Sequence, residues 1–162
     1  IALNGHSLGG YQIAFLVTRT NMFKAAVSGA PVVNMTSAYG GIRWESGKSR
    51  MFQYEQTQSR IGGTLWDKPA EFIRNSPLFF LPQVQTPVLI MHNDKDGSVM
   101  WEQGIEFFMA LRRLDKPVWL FNYKGEGHHL KKWENRLDYS RRVMEFYDYY
   151  LKDGKKPEWM KS

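Results

Sequence analysis

The fold is decided by the opening stretch of the chain, Ile1-Ala2-Leu3-Asn4-Gly5-His6-Ser7-Leu8-Gly9-Gly10. The apolar residues at its start have the length of a buried strand. From about Tyr11, apolar residues recur at the spacing of a helix. A serine therefore lies between a strand and a helix, within the Gly-x-Ser-x-Gly pattern of a nucleophile elbow. The bare pattern arises by chance in about one chain in twenty of this length, so its position between strand and helix is what makes it informative.

The small residues of this turn have a steric role. A serine in a strained elbow leaves little space around it, so we expect side chains at Gly5 and Gly9 to collide with the neighbouring strand and helix. Gly10 adds a third position without a side chain. The backbone N–H of Leu8 begins the helix and would supply half of an oxyanion hole. The other half is expected from a loop upstream of residue 1.

The rest of the chain alternates short apolar runs with longer helical periods, which is typical of an α/β fold with a mostly parallel sheet flanked by helices. Strands are predicted over residues 1–4, 25–30, 87–92 and 118–123. Helices are predicted over residues 11–18, 69–75, 101–114 and 130–151. The segment 32–63 is too long for a simple connection, so we expect it to form part of a cleft roof that contacts substrate.

The last predicted helix has one apolar stripe that we expect to lie against the sheet. Its members recur at three- and four-residue steps or their sum: Leu130, Trp133, Leu137, Met144, Tyr147 and Leu151.

An acid and a base follow the later strands. A serine hydroxyl is a poor nucleophile unless a base takes its proton, and a histidine oriented by an acid is the usual base. Asp96 follows the strand over 87–92, and His128 follows the strand over 118–123. The order Ser7, Asp96, His128 is that of α/β-hydrolases, and all three residues fall at carboxyl ends of strands. We predict Ser7 as nucleophile, His128 as general base and then acid, and Asp96 as the group that orients the imidazole.

Each of these residues has a plainer interpretation when taken alone. Ser7 could be a helix N-cap, Asp94 or Asp96 a turn former, and His128 or His129 a surface loop residue. Their joint occurrence in this order favours the triad. His6 and His92 are interpreted as structural residues or as supports to the catalytic side chains, and not as catalytic residues.

Four motifs together resemble the prolyl oligopeptidase family of serine peptidases, which includes dipeptidyl peptidases and acylaminoacyl peptidases. The motifs are Gly5-His6-Ser7-Leu8-Gly9-Gly10-Tyr11, Ser76-Pro77-Leu78, Asp96-Gly97-Ser98-Val99 and Glu126-Gly127-His128. The resemblance covers nearly the whole chain and implies an α/β-hydrolase fold. It also selects Asp96 over Asp94 and His128 over His129.

The resemblance also implies a substrate pocket. Val32 and Val99 would line it and Leu8 would help to form it. Met35 and Ala38 stand where proline-specific relatives have aromatic rings, so a preference for proline and a broader hydrophobic preference both stay open. A methionine at position 35 fills an apolar pocket adaptably.

Length and composition bound the remaining possibilities. With 162 residues, 43% of them hydrophobic, the chain suits one domain. The sequence opens within an apolar run and without an initiator methionine, so we expect residues 1–162 to be the C-terminal part of an α/β-hydrolase catalytic domain, with upstream strands and any β-propeller absent. The chain has no cysteine, which excludes a thiol nucleophile and disulfides, and we expect no metal or cofactor.

The net charge of +6 raises the question of nucleic acid. The basic residues fall on an amphipathic helix and in a tail, where a solvated basic face is the commoner explanation, so we expect no nucleic-acid partner. A peptide substrate is what the family resemblance implies. The sequence shows no signal peptide and no apolar run of membrane-spanning length. Homo-oligomerisation and compartment stay open. Two alternatives to a peptidase remain, an esterase with the same triad and a non-catalytic interaction domain.

Overall fold

The structure is a computed structural model that describes residues 1–161. Its strands in chain order are β1 (Ala2–His6), β2 (Ala25–Gly29), β3 (Ile42–Arg43), β4 (Lys48–Ser49), β5 (Val88–Met91) and β6 (Val118–Phe121). Its α-helices are α1 (Leu8–Arg19), α2 (Met35–Tyr39), α3 (Met51–Glu55), α4 (Pro69–Arg74), α5 (Trp101–Arg113) and α6 (Trp133–Leu151). Short 3₁₀ helices cover Pro77–Gln83 and Glu158–Met160.

Four strands form one parallel sheet in the order β1-β2-β5-β6. The two central strands, β2 and β5, are buried along their whole length, as expected for a parallel sheet covered on both faces. The remaining strands, β3 and β4, form a separate antiparallel pair inside the segment 32–63. These observations confirm the predicted α/β architecture, with strand bounds shifted by at most two residues.

Helices cover both faces of the sheet. Val88 and Ile90 of β5 belong to a core cluster that includes Val17 of α1 and Phe107 of α5. Leu89, the residue between them, points to the opposite face and packs in a second cluster with Val143 and Phe146 of α6. The sheet is therefore the middle layer of three. No helix within residues 1–161 is long and apolar enough to cross a membrane.

The predicted apolar stripe of α6 is wrong for most of its members, although Tyr147 does pack in the cluster against the sheet. Trp133, Leu137 and Met144 are 65%, 59% and 56% exposed. The helix instead buries Val143 and Phe146, and the Phe146 ring packs edge-on against Trp119 of β6 at 5.7 Å between centroids. The reason is that α6 carries a second periodic stripe of mostly aromatic residues, which offers more apolar surface to the sheet. That stripe comprises Tyr139, Val143, Phe146, Tyr147 and Tyr150.

The helix also begins later than predicted. It starts at Trp133, so Leu130 is buried in the preceding loop and not on the helix.

Candidate active site

Ser7 lies in a strained turn between β1 and α1. Its backbone has φ +60° and ψ −116°, a conformation that non-glycine residues rarely adopt. Two backbone hydrogen bonds hold it there, from Ser7 N–H to Gly29 O at 2.7 Å and from Tyr11 N–H to Ser7 O at 3.0 Å. Ser7 occupies the N-cap position of α1, but its side chain makes no capping hydrogen bond. The hydroxyl is thus available for another partner.

Two glycines allow this close packing. A Cβ at Gly5 would lie 2.6 Å from the Gly9 carbonyl oxygen, and one at Gly10 would lie 2.2 Å from the Gly29 carbonyl oxygen. Both distances are too short for a side chain to be accepted without backbone movement. The expectation for Gly9 is wrong, because a Cβ there would meet no described atom within 4 Å apart from its chain neighbours and the backbone of its own helix. The steric requirement therefore falls on Gly5 and Gly10, where α1 approaches the strands most closely.

His128 connects Ser7 to Asp96. Its Nε2 lies 3.0 Å from Ser7 Oγ, and its Nδ1 lies 2.8 Å from Asp96 Oδ2. In the tautomer with the proton on Nδ1, the imidazole donates to the carboxylate and accepts from the serine hydroxyl. These distances are within the range required for a base to take a proton from its nucleophile. The structure thus brings all three predicted side chains into contact.

The Asp96 carboxylate has a full set of donors. Its Oδ1 accepts the backbone N–H groups of Ser98 and Val99, each at 2.8 Å. His92 Nε2 lies 3.3 Å from Oδ2. Burial opposes ionisation of Asp96, but the hydrogen bonds from His128, His92 and Val99 outweigh it and hold the pKa of Asp96 well below its ordinary value. Asp96 is therefore a carboxylate throughout the neutral range.

Asp94, the other candidate acid, has a different contact. Its Oδ1 accepts the backbone N–H of Gly125 at 2.8 Å. This bond joins the loop after β5, which carries Asp96, to the loop after β6, which carries His128. Asn93 makes a second connection, donating to Gly127 O at 3.0 Å and accepting from Tyr123 N–H at 2.9 Å. The geometry therefore favours Asp96 as the partner of the histidine and gives Asp94 a loop-bridging position.

Glu126 anchors the loop that carries His128 to the residues at the start of α6. Its side chain is buried and accepts the backbone N–H groups of Lys131 and Lys132 and the amide of Asn135, at 3.0 to 3.2 Å. The hydrogen bond from Asn135 outweighs burial and, with the backbone donors, lowers the pKa of Glu126. A buried carboxylate with several donors is a rigid anchor. It holds the loop that ends at the start of α6.

His6 and His129 surround the catalytic candidate His128. His6 Nε2 is 2.8 Å from the His128 carbonyl oxygen and donates to it. Burial and, to a smaller extent, the neighbouring imidazole of His128 lower the pKa of His6 to about 4, so His6 is neutral at pH 7. This position agrees with its predicted structural role.

Among residues 1–161, His6, His128 and His129 form the group of side chains whose spacing could suit a metal ion. Their ligand nitrogen atoms lie within 4.8 Å of one another. Both nitrogens of His128 are already engaged by Ser7 and Asp96, and Nε2 of His6 by a carbonyl. Metal binding would therefore break the hydrogen bonds described above, and the absence of a metal stays a prediction.

A cleft of about 500 Å³ opens beside Ser7 and His128. The residues predicted to form the substrate pocket all line it: Leu8, Val32, Met35 and Val99. Ala38 is buried in a neighbouring cluster and does not reach the cleft. The segment 32–63 forms much of one wall, through residues that include Arg43, Glu45, Arg50 and Tyr54.

Leu8 is the first residue of α1. Its N–H belongs to the first turn, whose donors have no acceptor within the helix, and the helix dipole adds partial positive charge there. The helix start therefore presents free donors next to Ser7 Oγ.

His92 was interpreted as structural or as a support to the catalytic residues, and its Nε2 reaches both Asp96 and the Val99 carbonyl. One feature of the site was missed by the sequence reasoning. Arg50 was not singled out, although it lines the cleft and is only 3% exposed. No sequence signal distinguishes Arg50 from the other basic residues, because its burial depends on how the segment 32–63 folds.

Comparison with curated proteins identifies relatives across most of the chain. The human acylamino-acid-releasing enzyme is 31% identical over 145 residues, which cover 85% of this chain and 19% of that protein. An uncharacterised peptidase of Bacillus subtilis is 29% identical over 136 residues, covering 82% of this chain and 19% of that protein. The chain thus spans about a fifth of the length of these relatives.

Solved structures show the same α/β-hydrolase fold. The acylaminoacyl peptidase of Pyrococcus horikoshii superposes with a TM-score of 0.82 at 22% identity, covering 100% of this chain and 26% of that one. A puromycin-hydrolysing peptidase of Mycobacterium tuberculosis gives 0.78 at 26% identity, covering 93% of this chain and 22% of that one. The sequence model of the prolyl oligopeptidase family matches residues 1–154. With nearly its whole length matched, this chain belongs to the prolyl oligopeptidase family.

Proposed function

We propose that this chain carries the catalytic machinery of a serine peptidase that hydrolyses peptide bonds of short peptides through an acyl-enzyme on Ser7. The observation that carries the proposal is the continuous hydrogen-bonded series Ser7 Oγ, His128 Nε2, His128 Nδ1 and Asp96 Oδ2, at 3.0 and 2.8 Å. A nucleophile, a base and an orienting acid in contact are the parts that acyl transfer requires.

In the first half of the reaction, Ser7 Oγ attacks the carbonyl carbon of the scissile bond while His128 Nε2 takes the hydroxyl proton. The imidazolium that forms is stabilised by the buried, ionised Asp96. The oxyanion of the tetrahedral intermediate would accept the Leu8 N–H at the start of α1. Collapse breaks the C–N bond, and His128 donates its proton to the leaving amine.

In the second half, water attacks the ester on Ser7, and His128 again takes the proton. The acid product leaves as Ser7 recovers its proton from the imidazolium. The strained Ser7 backbone supports this sequence, because it presents Oγ away from the first turn of α1 and towards the imidazole.

The cleft supports an apolar residue on the acyl side of the scissile bond. We propose that Val32, Met35 and Val99 contact that residue, since all three line the cleft beside Ser7. Met35 and Val99 are themselves largely buried and form apolar walls of the cleft. The flexible side chain of Met35 suits several hydrophobic residues better than proline alone.

We further propose that the chain is the catalytic part of a longer polypeptide. Support comes from the curated relatives, of which it spans about a fifth. The first helical turn supplies donors from one side of the oxyanion only, and a second donor would come from elsewhere in such a polypeptide.

The proposal is tested with the full-length protein that contains this chain. Short peptides and matched acyl esters are offered to the protein and to its Ser7→Ala variant, and products are identified by chromatography. We expect peptide cleavage that Ser7→Ala reduces by at least about 10³-fold. Ester cleavage without amide cleavage would instead indicate an esterase, and peptide cleavage that survives Ser7→Ala would overturn the assignment of the nucleophile.

A further inference from the structure

Arg50 is a buried cation without an anionic partner. Its side chain and backbone together are 3% exposed, and within residues 1–161 no carboxylate oxygen lies within 4.0 Å of its guanidinium. Its side-chain hydrogen bond is to the neutral amide oxygen of Gln53, at 3.1 Å. Arginine is seldom buried unless it is paired, because removing the charge from water is costly.

A second unpartnered polar group lies beside it. Tyr54 is 1% exposed, and its hydroxyl has no hydrogen-bond partner among the described residues. It lies close to the Arg50 guanidinium without forming a well-directed hydrogen bond to it. Burial raises the pKa of Tyr54 to about 12, so the hydroxyl keeps its proton and is an available donor.

Both residues belong to the wall of the cleft that contains Ser7 and His128. Arg43 lines the same wall and adds a second positive charge. The acidic residue of this wall, Glu45, accepts a hydrogen bond from Ser98 Oγ at 3.1 Å. No carboxylate oxygen of the described residues lies within 4.0 Å of the Arg50 guanidinium, so Glu45 and Asp96 do not pair with it, and Asp96 acts on it only at longer range.

We propose that Arg50, together with the Tyr54 hydroxyl, binds a carboxylate of the peptide substrate and so makes the enzyme selective for peptides with a negative charge near the scissile bond. A guanidinium matches a carboxylate in shape, since two parallel N–H donors meet two oxygens. A phenolic donor alongside adds a third hydrogen bond. The carboxylate would come from an acidic side chain or from the C-terminus of a short peptide.

This inference rests on the proposed peptidase function and names its substrate class. It is tested by the specificity of the full-length protein towards matched peptides. In one arm, a short neutral peptide is compared with peptides in which single positions change from Gln to Glu. In the other arm, the same neutral peptide is offered with a free C-terminal carboxylate or with a C-terminal amide. Product formation gives kcat/KM for each pair.

We expect one arm to show a preference for the carboxylate of about 10- to 100-fold, because the neutral amide keeps one acceptor oxygen and the loss is about that of one hydrogen bond to a charged group. The arm that shows it identifies the source of the carboxylate. Arg50→Gln should remove most of the preference, while Arg50→Lys, which keeps the charge but loses the planar donors, should retain part of it. Each variant is normalised to its own turnover of the neutral peptide.

The Arg50→Gln variant is checked for folding by its labelling with a serine-directed fluorophosphonate. If that labelling is lost, Tyr54→Phe is the variant that tests the inference. This variant keeps the ring, and we expect the preference to fall by about 3- to 10-fold. Equal turnover of carboxylate and amide in both arms would overturn the inference, as would a preference that persists in Arg50→Gln or is unchanged in Tyr54→Phe. If the protein cleaves no peptide of either kind, the proposed function itself fails.

Discussion

Asp96 and His128 are joined by a 2.8 Å hydrogen bond in which the carboxylate side chain is wholly buried and the imidazole side chain is 11% exposed. Two backbone N–H groups fix the other carboxylate oxygen, so the acid cannot rotate away from the imidazole. This arrangement sets the tautomer that leaves Nε2 free to accept the Ser7 proton.

Asp96→Asn should therefore reduce kcat by about 10⁴-fold, because an amide can hold the imidazole in the wrong tautomer. The matched control is Asp94→Asn, which alters a carboxylate two residues away whose hydrogen-bond partner, among residues 1–161, is the Gly125 N–H in the neighbouring loop. We expect that control to lose less than about 10-fold. Steady-state cleavage of a neutral peptide measures both, and comparable losses would mean that the acid has been assigned wrongly.

The closest approach of α1 to the sheet predicts a difference between two adjacent glycines. Gly10→Ala should destabilise the protein by about 1–3 kcal/mol, because the new Cβ meets the Gly29 carbonyl oxygen. Gly9→Ala should be neutral or stabilising by up to about 1 kcal/mol, since its Cβ position is open and alanine favours a helix. Urea denaturation followed by intrinsic fluorescence gives both values. Equal destabilisation would contradict the packing described at Gly10.

The corrected orientation of α6 gives a third test. Phe146→Ala should lower the free energy of unfolding by about 3–5 kcal/mol, because the ring is completely buried against β6. Met144→Ala, two residues earlier and 56% exposed, should change it by less than about 0.5 kcal/mol. Thermal or urea unfolding measures the pair. If Met144 proved the more sensitive position, the originally predicted stripe would be the buried one after all.

The buried position of His6 predicts a pH dependence of stability. Its pKa is lowered from 6.5 to about 4 in the folded protein, so between these values the unfolded state binds more protons than the folded state. The free energy of unfolding must then fall as the pH drops from about 6.5 to about 4. Partial exposure of the ring limits the effect, and we expect about 1–2 kcal/mol.

His6→Gln cannot take up this proton and should flatten that part of the stability profile. The measurement is the urea midpoint at several pH values for both proteins. The slopes are compared and not the absolute values, because the substitution also changes the hydrogen bond to the His128 carbonyl. Parallel slopes would show that His6 is not the group responsible.

The sequence alone was sufficient to predict the parts of the fold that depend on the local pattern of apolar and turn residues. Apolar runs ending in turn residues located the four strands of the parallel sheet but not the antiparallel pair β3 and β4. The order of Ser7, Asp96 and His128 follows from where the parallel strands end. It was not sufficient for α6, because two apolar stripes of similar period compete and only tertiary packing selects between them. Gly9 and Gly10 were likewise indistinguishable by pattern, since the difference between them is a contact with a strand distant in sequence.

The burial of Arg50 was hidden from the sequence. It depends on the long-range packing of the segment 32–63. A single histidine or arginine in a sequence has no marker of whether a carboxylate will face it. The predicted pocket residues, by contrast, came from the family resemblance and do line the cleft.

The most direct measurement is covalent labelling of the full-length protein by a fluorophosphonate probe, beside its Ser7→Ala and His128→Ala variants. The probe reacts only with a serine whose hydroxyl is activated by a neighbouring base. We predict labelling of the unmodified protein at Ser7, located by peptide mass spectrometry, and no labelling of either variant. A well-folded protein that resists the probe, or one labelled equally after Ser7→Ala, would contradict an active triad of Ser7, His128 and Asp96.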